Sequence, residues 1–338
     1  MYKYGIAIIS AGLLIFTVFK INQKHAVTLW KHRFEAVLDD IQRNSIKNYE
    51  WNADEWQKYR DKQLSQLPIT NEASFHKAVT QALADLGDHH SCLLSNACME
   101  QVTKQVAQHE SSVMVEDGIG IIVVPPVINY EALKDTTQLD VAFNETWVSE
   151  FQNQINAASK DVTRGWIIDL TENFGGNMYP MLAALSRFYQ TPQIGGFYGF
   201  NEGKHALQIV TFDGQSFAVD GNVMFTYNNR YPINQNRLPI VVLIGPKTAS
   251  SAEFVTLALQ RQNNVVVVGQ PTSGFASGNA IKSLPDNLGH YALTGALFLD
   301  SNNKPFLEQR INPAIEVPDD KAGMLQKAKD IILNNKRI

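Results

Sequence analysis

The chain has 338 residues, of which 44% are hydrophobic and 18% charged, and its formal net charge is −4. This composition is ordinary for a globular protein with one large or two medium domains and a sizeable core. Basic residues are scattered and do not exceed acidic ones, which argues against a nucleic-acid partner.

Residues 1–25 differ in composition from the rest of the chain. An uncharged apolar run over residues 4–19 lies between Lys3 and a basic stretch that begins at Lys20. Such a segment is typical of an export signal or a membrane anchor. Because no small-x-small cleavage site follows Phe19, we expect an uncleaved signal anchor, with a cleaved signal peptide as the alternative. The prediction is an extracytoplasmic protein, in the bacterial periplasm or at the cell surface, anchored in the membrane by residues 4–19.

The next part of the chain has a helical pattern. From Leu29 to about Leu86, apolar residues recur at intervals of three and four, and the pattern ends in a turn-forming cluster at Gly87–Ser91. We therefore predict an N-terminal helical subdomain over residues 26–115. A strand closed by prolines is predicted within Gly118–Pro126.

Two cysteines, Cys92 and Cys98, follow the turn cluster. In an exported protein they are candidates for a small disulfide loop, and the alternative is a pair of buried thiols. His89 and His90 lie close by, but nothing repeats this pair at metal-ligand spacing. We therefore predict neither a metal site nor a cofactor.

Residues 116–338 are predicted to form a second domain in which strands and helices alternate. The patterns predict a helix at Trp147–Ala158, a buried strand at Trp166–Leu170 and a helix at Tyr179–Tyr189. Residues 195–236 alternate apolar and polar side chains around two Asp-Gly pairs, which predicts hairpins.

Two unbroken apolar runs, Ile240–Ile244 and Val265–Val268, flank a helical segment. Such runs are typical of strands buried on both faces, and the helical crossover predicts parallel pairing. Two or three further strands are predicted within Tyr291–Val317, and a closing helix over Lys321–Asn335. The fold class is therefore α/β (α+β) with a mixed sheet.

A serine turn lies between the first of these runs and the helix, at Thr248–Glu253. A helix N-terminus offers backbone N–H groups and a positive dipole end, which suit a developing oxyanion. However, Ser250 and Glu253 also fit a capping box that only starts a helix, and on this segment alone the cap is favoured. The glycine turn at Gly175–Gly176 has the same two interpretations: it can supply an oxyanion N–H, with Ser251 supplying another, or simply turn the chain.

Three motifs in order resemble those of the C-terminal processing, or tail-specific, serine peptidases. They are Asp169–Gly176, Thr248–Glu253 and Val267–Gly274, and the resemblance covers roughly residues 75–320. Because three linked motifs are more specific than one, they favour Ser250 as a nucleophile. The resemblance implies a crotonase- or ClpP-like mixed-sheet core.

The resemblance also implies an oxyanion hole made by backbone N–H groups of Gly176 and Ser251, with Gly175 in the same turn. In bacterial members of the family a lysine directly after the glycine of the Pro-Thr-x-Gly motif is the base, but this chain has Phe275 there. Neither Lys247 nor Lys282 matches the family position. The stretch before Gly118 is too short for the PDZ domain of those proteases.

A PDZ-less branch, similar to the tricorn core protease, uses a histidine from a Leu-Gly-Asp-x-His-Ser/Thr pattern instead. Residues Leu86–Ser91 match this pattern, which implies that His90 is the base, although the neighbouring His89 remains an alternative. In that branch a glutamate near the final strand completes the charge network, and Glu308 occupies its position. A histidine oriented by a carboxylate is a suitable base for serine near neutral pH.

The sequence thus predicts an exported serine peptidase that hydrolyses peptide bonds of a peptide or protein substrate through an acyl-enzyme. Its site is of the Ser-His-Glu type instead of a Ser-Lys dyad. The alternative is a catalytically inactive binding or scaffold protein with the peptidase fold. Departures from the family motifs at Phe275, Arg310 and Ala314 favour this alternative.

Overall fold

A computed structural model describes residues 28–65, 68–128, 141–201, 204–307 and 310–334. The predicted signal or anchor in residues 1–25 lies outside these ranges, as does Glu308. Among the helices of the described ranges, none combines the length and the apolar character that crossing a membrane requires.

The chain divides into two compact units. The first comprises residues up to Leu94 together with Ile281–Leu293, and the second comprises Ser95–Ala280 and the chain from Thr294 onward. The division at Leu94 lies before the boundary that we predict at residue 115. A distant segment that completes a unit leaves no trace in local periodicity, so the sequence could not assign Ile281–Leu293 to the first unit.

The first unit is mainly helical. Its helices are α1 (residues 28–44), α2 (Ala53–Leu64) and α3 (Glu72–Asp85), and its strand β1 (Cys92–Leu94) pairs antiparallel with residues 290–292. Asparagine side chains start α2 and α3 by accepting backbone N–H groups of the first turn. The buried core contains residues from all three helices and from the returning segment, among them Phe34, Leu38, Phe75, Val79, Tyr291 and Leu293.

The second unit begins with a helix and then contains a mainly parallel sheet with helices between its strands. These elements are α4 (Asn96–Val106), β2 (Ser112–Glu116), β3 (Ile119–Val123), α5 (Val141–Ala158), β4 (Gly165–Asp169) and α6 (Met178–Ala184). Strand β2 pairs antiparallel with β3, and β3 pairs parallel with β4. Because of this pairing, β2 belongs to the second unit although it lies within the predicted N-terminal subdomain.

An antiparallel layer follows, as the alternating pattern predicts. Its strands are β5 (Gln193–Asn201), β6 (Lys204–Phe212), β7 (Ser216–Val219) and β8 (Asn222–Thr226), each pairing with the next. Asp220 and Gly221 join β7 to β8 with φ of 51° and 79°, which is the backbone that a two-residue hairpin turn requires.

The chain then returns to the parallel sheet. The elements are β9 (Ile240–Ile244), α7 (Ser251–Gln260), β10 (Val265–Gly269), β11 (Ser277–Ser283), β12 (His290–Phe298), β13 (Ile315–Glu316) and α8 (Lys321–Asn334). The parallel sheet has the order β13-β10-β9-β4-β3-β2, which confirms the predicted parallel crossover between β9 and β10. Strand β12 extends the antiparallel layer next to β5 and also pairs with β11.

Both faces of the parallel sheet are covered by helices. Alternate residues such as Ile167 and Val241 pack with α8, whereas their neighbours Ile168 and Val242 belong to the core shared with α5, α6 and α7. This explains why the strands are continuous apolar runs instead of alternating patterns. The sheet therefore presents its strand ends, and not its faces, to solvent and ligands.

One predicted element differs from the structure in its length. The helix predicted over Tyr179–Tyr189 is α-helical only as far as Ala184 and continues as a short 3-10 helix at Ser186–Phe188. The buried Gln152 side chain of α5 donates hydrogen bonds to the carbonyls of Ala183 and Ala184 at this change. Strand β11 (Ser277–Ser283) contains Lys282, for which the sequence also predicts a strand.

Candidate active site

The serine turn lies at the carboxyl end of the parallel sheet. Ser250 is half-buried between β9 and α7 and has φ 53° and ψ −117°, a conformation that side-chain-bearing residues rarely adopt. Thr248 fixes the turn, since its hydroxyl accepts the N–H of Gly245 at 2.9 Å and donates to the carbonyl of Leu170 at 2.8 Å. The serine is therefore held in a strained position by the ends of two neighbouring strands.

The glycine turn packs directly against the serine turn. A Cβ on Gly175 would lie 2.9 Å from the Ser250 Cβ and 2.9 Å from the Ala249 carbonyl oxygen, so no larger residue fits. Asn173 connects the two turns: its carbonyl accepts the N–H of Ala249 at 3.1 Å, and its side-chain oxygen accepts the N–H of Gly175 at 2.9 Å. The two turns that the motifs predicted are thus in contact.

The backbone N–H groups near Ser250 differ in whether they already have a hydrogen-bond acceptor. The N–H of Gly175 is already used by Asn173, so Gly175 is wrong as an oxyanion donor and instead supplies close backbone approach. Among the described residues, no acceptor takes the N–H of Gly176 or that of Ser251. The Ser251 hydroxyl donates to the Gly176 carbonyl at 2.5 Å, which joins these two residues across the turns.

Glu253 is the buried carboxylate of the site, with no exposed surface. It accepts the backbone N–H of Ser250 at 2.7 Å, which confirms the carboxylate arm of the predicted capping box. Burial raises the pKa of Glu253 to about 7, against the opposing effect of its hydrogen-bond donors.

The lysines near the motifs are held by carboxylates. Lys247 is exposed and lies 2.7 Å from Glu172, which raises the pKa of its ammonium group. A lysine that acts as a base needs the opposite shift. Lys282 belongs to the first unit and lies 3.7 Å from Asp40. Neither environment is that of a general base.

The histidine turn belongs to the first unit. The buried Asp88 accepts the backbone N–H of His90 at 3.0 Å and, at 2.7 Å, that of Ser91. His89 is exposed with φ 58°, whereas His90 is half-buried. Burial lowers the pKa of His90 to about 4, with Asp88 opposing the shift. His90 is therefore neutral near pH 7, in the form that accepts a proton.

The remaining predicted residues have mixed outcomes. Cys92 is exposed and Cys98 is partly buried, and neither forms a disulfide in this structure; the candidate disulfide loop stays a prediction. Within the described ranges, no group of three or more His, Cys, Asp or Glu side chains is arranged to hold a metal ion. Glu308 lies outside the described residues, and its role stays a prediction.

Sequence reasoning missed contacts that depend on the tertiary fold. Asn173 appeared only as a motif letter, although its position before the glycines is typical of a side chain that organises a turn. His109 belongs to none of the motifs. Its ring packs edge-on against Phe174, with 5.8 Å between ring centroids, and its Nδ1 lies 2.8 Å from the Gln105 carbonyl. No periodicity or spacing marks that histidine.

Comparison with known proteins agrees with the geometry. The family model of Peptidase family S41 matches residues 139–317, which is more than half of the chain. The carboxy-terminal processing protease CtpA of Bacillus subtilis is 26% identical over 201 residues, covering 58% of this chain and 39% of that protein. The chain therefore spans well under half of CtpA.

Two other proteins match nearly the full length. The nisin-resistance protein of Lactococcus lactis subsp. lactis is 22% identical over 323 residues, covering 90% of this chain and 93% of that protein. The structure of a lipoprotein from Streptococcus agalactiae has a TM-score of 0.72 at 22% identity and covers 91% of this chain and 97% of that one. At this identity, the structural match establishes a shared fold.

Proposed function

Because the chain belongs to peptidase family S41, we propose that it is a serine peptidase that hydrolyses peptide bonds through an acyl-enzyme on Ser250. One observation carries the proposal: Ser250 lies in a strained turn beside two backbone N–H groups, of Gly176 and Ser251, that no described acceptor takes. Such donors suit the oxyanion of a tetrahedral intermediate.

In this mechanism the Ser250 hydroxyl attacks the scissile carbonyl and the N–H groups of Gly176 and Ser251 stabilise the resulting oxyanion. The proton of Ser250 passes to a base and then to the leaving amine. Water hydrolyses the ester that remains on Ser250, with the same base accepting a proton from the water.

We assign the base to His90. The family pattern in Leu86–Ser91 supports this assignment. Burial lowers the pKa of His90 to about 4, which keeps the ring neutral near pH 7 but makes it a weaker base than an ordinary histidine. His89 is exposed and lacks that environment. Glu308 is proposed to orient the imidazole on the strength of its sequence position alone.

The alternative is a binding or scaffold protein without turnover. Phe275 stands where the family has its lysine base. Lys247 and Lys282 do not replace that lysine, because each forms an ion pair with a carboxylate elsewhere. The alternative therefore depends on His90 failing as a base. The serine turn favours the peptidase, as do the N–H groups of Gly176 and Ser251, for which the described part of the chain offers no acceptor.

An extracytoplasmic location is part of the proposal. It is supported by the apolar run over residues 4–19 and by the similarity to a streptococcal protein described as a lipoprotein. Attachment to the membrane through this segment is a further proposal. The substrate is proposed to be a peptide or protein, without assignment of its sequence.

Hydrolysis of a peptide library by the wild-type protein and by Ser250→Ala tests the proposal. We expect loss of at least about 1,000-fold in kcat for Ser250→Ala, since the nucleophile is removed. Ser216→Ala, which removes a hydroxyl in the β7–β8 hairpin, should cleave like wild type. Equal cleavage by Ser250→Ala and wild type would exclude Ser250 as the nucleophile.

A further inference from the structure

The Glu253 carboxylate joins two segments that lie far apart in the sequence. Its Oε2 accepts the N–H of Ser250 at 2.7 Å and the N–H of Phe275 at 2.9 Å. Its Oε1 accepts the N–H of Gly274 at 3.1 Å and the hydroxyl of Thr272. A helix cap needs only the first of these contacts, so the other three call for a separate explanation.

The three additional donors come from the loop Thr272–Phe275, which follows β10. This loop also holds the serine turn from the other side, since the N–H of Ser273 donates to the Thr248 carbonyl at 2.9 Å. Its Ser273 hydroxyl donates to the Pro246 carbonyl at 2.6 Å. The loop and the serine turn are therefore joined along their whole length, with Glu253 as the buried centre.

We propose that Glu253 is a positioning residue of the active site, whose carboxylate holds the Ser250 turn and the loop Thr272–Phe275 as one rigid body. This inference rests on the proposed peptidase function for its catalytic consequence only. By fixing the backbone N–H of Ser250, Glu253 maintains the strained φ of the nucleophile and the direction of the next N–H, that of Ser251. Glu253 itself does not touch the substrate.

The surroundings of Glu253 contain few charges. Among the described residues, the titratable groups on elements packed against α7 are Tyr179 of α6 and Tyr198 of β5, and Arg310 lies against Gly274 on the far side of the loop. None of these forms an ion pair with Glu253 in the structure. The carboxylate is therefore balanced by four hydrogen-bond donors and not by an opposite charge, which makes the loss of any donor costly.

Glu253→Gln tests the role because it changes one acceptor into a donor with almost no change in shape. The glutamine nitrogen can donate to the Thr272 hydroxyl, but the N–H of Gly274 then has no acceptor. At pH 8, where Glu253 is ionised and accepts all four hydrogen bonds, we expect hydrogen exchange of the backbone amides over residues 272–275 to speed up by at least about tenfold in the variant, because the loop opens locally. This measurement requires no catalysis, so it judges the positioning role even if the peptidase function is wrong.

The matched control is Thr256→Val on the same helix. Thr256 is buried and donates to the Ala252 carbonyl at 2.8 Å, and its described hydrogen bond does not involve the loop. Thr256→Val also loses a buried hydrogen bond on this helix, but that bond does not involve the loop. Hydrogen exchange over residues 272–275 should therefore stay as in wild type. Equal exchange in wild type and Glu253→Gln would overturn the proposal, and so would equal acceleration in Thr256→Val.

Kinetics on the folded variant test the catalytic consequence. With active protein counted by serine labelling, Glu253→Gln should lower kcat by about tenfold or more and leave KM within about threefold, because the oxyanion donor is used most in the transition state. A merely structural residue would change the folded fraction and not kcat per labelled serine. An unchanged kcat together with faster loop exchange would overturn the catalytic part of the role.

Discussion

The proposed roles of Ser250 and His90 depend on their backbone geometry and their burial. Polar neighbours fix the backbone at both residues. Glu253 accepts the N–H of Ser250, and Asp88 accepts the N–H of His90. In both cases a buried carboxylate, and not the reactive side chain itself, fixes the chain. Pre-organisation of this kind avoids reorganisation during the reaction.

At the residue scale, the assignment of His90 can be separated from His89 by substitution. His90→Ala should lower kcat/KM at pH 7 by about 100- to 10,000-fold, which is the usual contribution of general base catalysis. His89→Ala is the matched control, and since His89 is exposed its activity should stay within about threefold of wild type. Peptide hydrolysis at saturating and limiting substrate measures both. The reverse ranking of the two variants would assign the base to His89.

The raised pKa of Glu253 predicts that the stability of the protein depends on pH. Its folded pKa is raised from the usual 4.5 to about 7, so its contribution to the free energy of unfolding is full below pH 4.5 and is lost as the pH rises through 7. The shift corresponds to about 3 kcal/mol. His90 has the opposite sign, since its pKa is lowered from 6.5 to about 4 and its contribution is lost as the pH falls through 4.

Denaturant unfolding of wild type and Glu253→Gln between pH 4.5 and 8 separates the two groups, because the variant keeps His90. The wild-type free energy of unfolding minus that of the variant should decrease by about 3 kcal/mol as the pH rises over this range. A difference that stays constant with pH would show that Glu253 does not have a raised pKa in the folded state.

At the scale of elements, the site is built from turns that follow parallel strands. The turn after β4 carries Gly175 and Gly176, and the turn after β9 carries Ser250. Because β4 and β9 are neighbours in register, their carboxyl ends lie side by side and the two turns meet. Parallel pairing was predicted from the apolar runs, and the contact between the turns follows from it.

Gly175→Ala tests this contact. The added Cβ would approach Ser250 Cβ and the Ala249 carbonyl oxygen to 2.9 Å in a backbone with φ 104°. We expect a loss of at least about 2 kcal/mol in stability, together with lower kcat. Gly221→Ala is the matched control, since Gly221 has φ 79° but no atom within 4 Å of the added Cβ, and should cost about 1 kcal/mol or less. Equal losses in the two variants would show that strain alone, without the contact, explains the effect.

At the scale of the whole molecule, regular elements were more predictable than long-range contacts. The strands β4, β9 and β10 and the helix α8 follow from local apolar patterns, because burial on one or both faces fixes those patterns. Local patterns do not predict that Ile281–Leu293 belongs to the first unit, because nothing in the sequence of a segment shows which distant unit it joins. For the same reason, the predicted boundary at residue 115 does not coincide with the division between compact units at Leu94.

In the candidate site, too, local features could be predicted from the sequence and long-range contacts could not. Ser250, Gly176 and Ser251 could be named because motif spacing is local and the family resemblance orders it. The contacts of Glu253 with Gly274 and Phe275 span more than 20 residues and depend on where the loop folds back. The use of the Gly175 N–H by Asn173 depends on one side-chain rotamer, which spacing does not determine.

Labelling with a fluorophosphonate, followed by peptide mapping, tests the central claim most directly, because the reagent reacts only with an activated serine. We predict one adduct, on the peptide that contains Ser250, and its loss in Ser250→Ala but not in Ser216→Ala. No adduct under conditions that label another S41 peptidase, or an adduct that persists in Ser250→Ala, would contradict the claim that Ser250 is an activated nucleophile.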